Sequence, residues 1–552
     1  MPFNSIPKRN DYINQILNTP FDLVVIGGGI TGAGIAWDAT LRGLKVLLLE
    51  QNDFASGTSS KSTKLIHGGL RYLKQLKFKQ VYEVGRERAI VHNIARFLVR
   101  PEKMLLPIYE NGSLSRIMAA LALTVYDTLA GVGKVDSFSY HSKEKTKSLE
   151  PLLPLKKLLG SFLYAEYQTD DHRLTWTLIQ SALNKDAMCL NYAKVNQIKT
   201  DENRSIRAVC FEDTISGDIF EIKTSLVVNA AGPWVVDVIS LDAFPPQKEL
   251  LLSKGTHIVL SHNKFPLKQA LYFDDIEKKR MIFAIPKGNT TYIGTTDVEY
   301  TNDKNKIYPS NTEIDYLIKT VQSVFPQLSI NASDILSTWV GVRPLIKEPG
   351  KESTEVSRKD EIFVSQSGLI SIAGGKLTGF RKMAEKVVDL LVKSHFKDKA
   401  GLKRSSGTKN TLLDGNSFKS ESELSHYLVN LKKQFIDLGF ESELASIFMK
   451  RYGDKMNKMI GLLRDNHNVH DKIEWLLEAE IMYGILNEMI YFPTDFIQRQ
   501  SGMLWFDRPT CLLKKEFILS VFAIEFEWDN NKLAQERLKL DQLLDSSLDF
   551  KD

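Results

Sequence analysis

Apolar positions follow three rhythms along this chain, and the changes of rhythm mark its elements. Asp22 to Ile26 ("DLVVI") reads as a buried strand, apolar without a break from Leu23. "AGIAWDATLRG" then shows helical spacing, and "KVLLLE" forms a second apolar run closing on Glu50. "SLVVNAAGPWVVDVI", Ser225 to Ile239, reads as a strand ending in Ala-Ala-Gly-Pro-Trp. "GLISIAGGKLTGFRKMAEKVVDLL", from Gly368, reads as a strand, a glycine pair and a long amphipathic helix. Tyr192–Ile222 and Leu251–Tyr300 alternate apolar and polar residues ("GTHIVLS", "RMIFAIP", "TTYIGTTD"). That pattern predicts an antiparallel sheet roofing whatever the first unit binds. After a polar Gly/Ser-rich break at Lys403–Leu424, "HYLVNLKKQFIDLGF", "ELASIFMKRYG", "EWLLEAEIMYGILNEMI" and "FILSVFAIEF" have helical periodicity. They predict an all-α C-terminal domain, with the acidic tail "DQLLDSSLDFKD" frayed.

The first unit is a nucleotide site. Gly27, Gly29 and Gly32 complete a G-x-G-x-x-G between strand and helix: one for the turn, one for close approach of a pyrophosphate, one for helix–strand packing. The phosphates then sit on the helix N-terminus, and Glu50 closes the second strand where it can accept a ribose hydroxyl. The chain next leaves the regular βαβ pattern and enters "TSSKSTKLIHGGLRYL", Thr58–Leu73. This supply of hydroxyl and amide donors suits a tightly held flavin better than a free nicotinamide and so predicts FAD. The helix after Gly374-Gly375 can point its dipole at the electron-rich end of a reduced flavin. A site assembled from three distant segments implies an inserted domain. The expected division is an FAD-binding domain within residues 1–402 (about 20–90, 145–240 and 340–402), an interleaved substrate domain (about 91–144 and 241–339) and a helical domain at 403–552.

Bulk properties narrow the function. With 552 residues and a net charge of +5, the chain is a multi-domain globular protein, too mildly basic for nucleic acid to be the partner. Cys189, Cys210 and Cys511 have no metal-ligand spacing and form no disulfide framework, so a reducing compartment is expected and no metal site. No stretch reaches the ~20 apolar residues of a membrane span; "IMAALALTVYDTLAGVG", from Ile117, is interrupted by Asp127.

Together "VVIGGGITGAGIAWDATLRGLKVLLLE", "TSSKSTKLIHGGLRYL", "NAAGPWV", "KGTHIVL", "YIGTTDVEY", "GVRPLI" and "IAGGKLTGFRKMAE" resemble FAD-dependent glycerol-3-phosphate dehydrogenase over nearly the whole chain. The resemblance implies an α/β, Rossmann-like FAD domain of glycine-oxidase type with an inserted antiparallel substrate domain and an all-α C-terminal domain. It also implies oxidation of sn-glycerol 3-phosphate at C2. Cofactor contacts are expected from Thr58, Ser59, Ser60, Lys64, His67 and Gly68, from Gly232 and Trp234, and from Gly375, Lys376, Leu377 and Thr378. A substrate phosphate calls for arginine's planar fork. Candidates are Arg71 beside Tyr72, Arg343, Arg358 and Lys376. The C2 hydroxyl proton calls for a histidine, His257 first and His67 second, while Arg343 can instead hold the alkoxide.

Plainer readings compete with several of these. Arg358 lies in a polar loop, His257 in a strand where core histidines occur, and Asp297 reads as a turn-former near the flavin; Lys61 suits a phosphate contact and a solvated loop equally well. The resemblance implies a quinone acceptor and a cytoplasmic protein resting on the inner membrane surface. Leu-rich segments carrying Lys/Arg, at Leu98–Gly131 and Pro151–Tyr167, suit that surface, though they also suit core helices with a basic edge. The C-terminal domain is expected to be a cap or a homodimer contact. The alternatives are an oxidase reducing O2 to H2O2, an amine or amino-acid oxidase, and a flavoprotein without turnover.

Overall fold

A computed structural model describes residues 7–67, 78–110, 112, 114–130, 137–245, 249–275, 280–347, 360–465 and 471–551. The strand Leu23–Ile26 is the centre of a six-stranded sheet. It is flanked on one side by Val46–Leu49 and Met188–Leu190, and on the other by Val227–Asn229, Ile370–Gly374 and Asp360–Val364. All pairs are parallel except the last. The central strand is buried on both faces, which is why it reads as an unbroken apolar run. Its residues divide by the two-residue period of a strand. Leu23 and Val25 pack beneath the helices Ile30–Arg42, Asp171–Leu183 and Phe380–Ser394. Val24 and Ile26 pack against a three-stranded sheet of Ala193–Thr200, Ile206–Asp213 and Ile219–Lys223. That small sheet is the stretch expected to help roof the ligand. It backs the nucleotide sheet instead, because Val195, Ile198, Val209 and Phe211 put their apolar face there.

The roof is a ten-stranded sheet. Its spine is Leu250–Ser261, paired antiparallel with Ile335–Ile346 on one edge and with Thr290–Gly294 and Val298–Glu299 on the other. Leu158–Gln168 also belongs to it, paired along its length with Arg100–Tyr109, although the sequence grouped residues 145–168 with the nucleotide segments.

Beyond the polar break the chain is helical, as expected. It does not stand apart, however. Phe435, Phe440 and Phe448 share a core with Leu23 and Val25, while Ile481, Trp505 and Phe522 share one with the ten-stranded sheet. Arg173 joins Glu488 through two buried hydrogen bonds of 2.5 and 2.7 Å. The tail does not fray. Asn530–Ser546 is one helix, and the Ser547 carbonyl accepts both the amide and the hydroxyl of Thr338 at 2.9 Å. Among the described residues, no helix is long and apolar enough to cross a membrane.

Candidate active site

A cavity of about 1260 Å³ lies where the C-terminal ends of the parallel strands meet the ten-stranded sheet. At one end it is built by glycines. Gly27 sits at φ +109°, and a Cβ there would lie 2.7 Å from the Ala230 carbonyl oxygen; a Cβ on Gly32 would lie 1.9 Å from the Gly27 oxygen. The first position needs a left-handed turn and the third an approach that only glycine allows. Gly27 and Gly29 line the cavity; Gly32 lies behind them in the packing it permits. The Ser59 hydroxyl accepts the Ile30 amide at 2.9 Å, steadying the N-terminus of Ile30–Arg42. Glu50 accepts the amides of Gly28 at 2.6 Å and Asn52 at 2.9 Å, and burial pushes its carboxyl up to about 7.

The middle and far end come from distant strands. Thr58 donates to the Val342 carbonyl at 2.5 Å, and Gly232 and Trp234 line the adjoining wall. Past Ile370–Gly374, Gly375 turns at φ +82°, and Lys376, Leu377 and Thr378 line the cavity with it. His67 lines it too, its carbonyl accepting the Thr378 hydroxyl at 3.4 Å. These glycine approaches, the acid-terminated strand and the hydroxyl-rich wall fit a dinucleotide with a long, polar midsection.

The far end is cationic. Arg343 and Arg280 both line the cavity, and each has a guanidinium nitrogen 3.8 Å from a different oxygen of Asp297. Arg343 Nη2 also lies 3.4 Å from the Thr295 hydroxyl. Gly255, opposite Gly341 in the register, makes room: a Cβ there would lie 2.6 Å from Arg343 Nη2. The Asp297 carboxylate accepts the Ser253 hydroxyl and is buried, so it is not the simple turn-former its motif suggested.

Several expected contacts are placed differently. His257 is 1% exposed and does not line the cavity. Its ring stacks on Trp339, 4.7 Å between centroids, and Nε2 lies 2.9 Å from the Thr63 hydroxyl, which does line it. The close fit needs Gly294, where a Cβ would lie 2.2 Å from the imidazole. Burial, then Arg343 and Lys64, hold the imidazole well below its usual range, so it is neutral. His257, expected to face the substrate, therefore lies behind the cavity wall and meets it through the Thr63 hydroxyl. Lys64 is corrected likewise: its ammonium is buried on Asp171 at 2.7 Å and on the Ser60 carbonyl at 3.1 Å, behind the wall. Ser60 is buried with it rather than lining the cavity. Gly68, Arg71, Tyr72 and Arg358 lie outside the described residues. Sequence reasoning missed Arg280, hidden in the charge run "EKKR". It left Lys61 open between a phosphate contact and a solvated loop; Lys61 lines the cavity, and burial lowers it to about 8. It missed Phe492 and Lys539 of the helical region.

Known proteins match this chain along nearly its whole length. The sequence model described as "FAD dependent oxidoreductase" matches residues 22–381, and that described as "C-terminal domain of alpha-glycerophosphate oxidase" matches 406–533. The aerobic glycerol-3-phosphate dehydrogenase of Staphylococcus epidermidis is 42% identical over 517 residues, 94% of this chain and 93% of that one. Its namesake from Staphylococcus haemolyticus is 43% identical over 493 residues, 89% and 88% of the two chains. The crystal structure of the Bacillus halodurans glycerol-3-phosphate dehydrogenase complexed with FAD superposes with a TM-score of 0.84 at 35% identity, covering 98% of both chains. Glycine oxidase from Geobacillus kaustophilus, at 20% identity and a TM-score of 0.51 over 68% of this chain and 95% of that one, shares the fold. The cofactor is FAD. The chain belongs to the FAD-dependent oxidoreductases and, within them, to the aerobic glycerol-3-phosphate dehydrogenase family.

Proposed function

We propose that the protein oxidises sn-glycerol 3-phosphate to dihydroxyacetone phosphate and delivers the electrons to a quinone. The observation that carries this reading is the pair of cavity-lining arginines, Arg280 and Arg343, spread across the two oxygens of Asp297. Two guanidinium forks suit a dianionic phosphate, and a carboxylate between them sets their spacing before substrate arrives. Lys376, just past the glycine pair, adds a third cation to the cavity lining. When bound, FAD supplies at N5 the acceptor for the hydride from substrate C2. His67 takes the C2 hydroxyl proton, since among the described residues it is the histidine in the cavity wall. His257 holds the Thr63 hydroxyl in place as a neutral hydrogen-bond partner.

The same reading places the protein on a membrane surface. The helix Arg116–Ala130 exposes Ile117, Met118 and Leu121, and Arg116 stacks over Tyr140 at 4.2 Å, near the half-exposed Leu159. Apolar side chains rimmed by Arg and Lys are what interfacial attachment requires. An oxidase reading is favoured by one observation, the name carried by the model matching residues 406–533.

Anaerobic mixing with sn-glycerol 3-phosphate is expected to bleach the flavin absorbance, whereas glycerol, lacking the phosphate, leaves it intact. Equal bleaching by glycerol would remove the phosphate reading. Reoxidation by a soluble quinone much faster than by air supports the dehydrogenase, and the reverse order supports the oxidase.

A further inference from the structure

The cavity wall includes two side chains from the helical region, Phe492 and Lys539. They lie at the adenosine end, identified by Glu50 and Asn52 at the close of the acid-terminated strand. Phe492 meets Tyr192, another lining residue, at 5.1 Å between ring centroids and nearly edge-on. The Lys539 ammonium stands 5.4 Å from the Phe492 centroid and bonds Glu536 at 2.8 Å.

Behind this wall runs a buried chain of polar groups joining the two regions. Asp53, three residues past Glu50, accepts Asn191 at 2.9 Å and Arg499 at 2.9 Å. Arg499 also donates to Asp495, which accepts the Tyr192 hydroxyl at 2.5 Å. Asn191 reaches the Met489 carbonyl at 3.0 Å. The loop that presents Glu50 is therefore bonded on its far side to the segment from Met489 to Arg499. These charges are buried, and removing one partner strands the other.

We propose that the helical region is part of the FAD site: Phe492 and Lys539 close its adenosine end, and the Asp53–Arg499–Asp495–Tyr192 chain makes cofactor binding and docking of residues 489–546 one linked equilibrium. Linkage is reciprocal, so FAD tightens the docking by the same factor that docking tightens FAD. This assigns the region a cofactor-binding role in place of a cap, and it is independent of the substrate.

Two measurements test it. Hydrogen exchange is followed in holoenzyme and in deflavinated protein. FAD is expected to slow exchange in residues 489–506 and 530–546 well beyond any change in 421–452. Equal exchange in the two states across 489–546 overturns the proposal. FAD release from holoenzyme into a scavenging apoflavoprotein is then timed for Lys539→Gln, a side chain half in solvent, and for Arg499→Gln. Expected accelerations are about threefold for the first and about tenfold or more for the second, the usual range of site coupling. Release within about twofold of wild type in Lys539→Gln overturns the role of Lys539, whether or not Arg499→Gln folds.

Discussion

The two ends of the cavity are built by opposite means. The adenosine end is mostly backbone: turns that admit no Cβ, amides fixed on Glu50 and Ser59, and a central strand buried on both faces. The far end is mostly charge: the guanidinium groups of Arg343, within a strand, and Arg280, just before one, held off one another by Asp297 in a space that Gly255 keeps open. A ligand moiety common to many flavoproteins can be met by geometry that tolerates no substitution. A moiety particular to one substrate is met by side chains whose exchange would alter the substrate rather than the fold. Breaking the first end should therefore cost the cofactor, and breaking the second should cost only turnover.

The largest effect is expected at Gly32. In Gly32→Ala the new Cβ lands 1.9 Å from a backbone oxygen of the turn, which cannot yield as a side-chain tip would. The purified variant should carry less than about one tenth of the flavin absorbance per chain, whatever FAD is added, as loss of the pyrophosphate turn demands. Full flavin content would show that the turn has more slack than the glycine spacing implies. At the opposite end, Arg343→Ala should keep its flavin and lose about 100-fold or more in kcat/KM, the worth of charge-assisted contacts to a phosphate. Flavin loss in that variant would erase the distinction between the ends.

The same contrast explains what the chain disclosed in advance. The adenosine end was legible because its constraints are local: a G-x-G-x-x-G within six residues and an acid closing the next strand fall in one stretch, Gly27 to Glu50. The far end is set by register. Arg343 is useful because it faces Ser253 across a long antiparallel pair, with Gly255 two residues on leaving room for its guanidinium. Motif resemblance marked Arg343 without that reason. Arg280 had no such mark, since "EKKR" reads as solvated charge until strand pairing brings it to Asp297. Lys64 misled in the other direction: a cation in a hydroxyl-rich loop suggests a phosphate, but Asp171 lies too far along the chain to be seen as its partner.

The two histidines divide at a finer scale. His67→Asn is expected to slow flavin reduction about 100-fold, as loss of a general base does. His257→Asn should slow it less than about tenfold, because it removes a partner of Thr63 rather than a proton acceptor. Anaerobic stopped-flow reduction measures both, and a reversal of the order would return the base to His257.

The smallest expected effect is on stability, and His257 should show it. Its imidazole is depressed in the folded state, chiefly by burial and then by the nearby cations Arg343 and Lys64. The unfolded chain titrates near about 6.5, so below that pH the unfolded state binds the proton more readily. Stability is thus fully present above about 6.5 and falls as the solution is acidified through that value towards the folded pKa, by about 1.4 kcal/mol for each unit of depression spanned. His172, buried and depressed by burial and Arg173, contributes a parallel loss, so the wild-type curve alone does not isolate one ring. The difference curve does. His257→Asn should melt below wild type at pH 8, where the stacked ring and its bond to Thr63 are lost, and the gap should narrow as pH falls towards 5. A gap that stays constant with pH would mean that the buried ring is reached by solvent protons in the folded protein. The separation between a histidine at the cavity wall and one behind it would then fail.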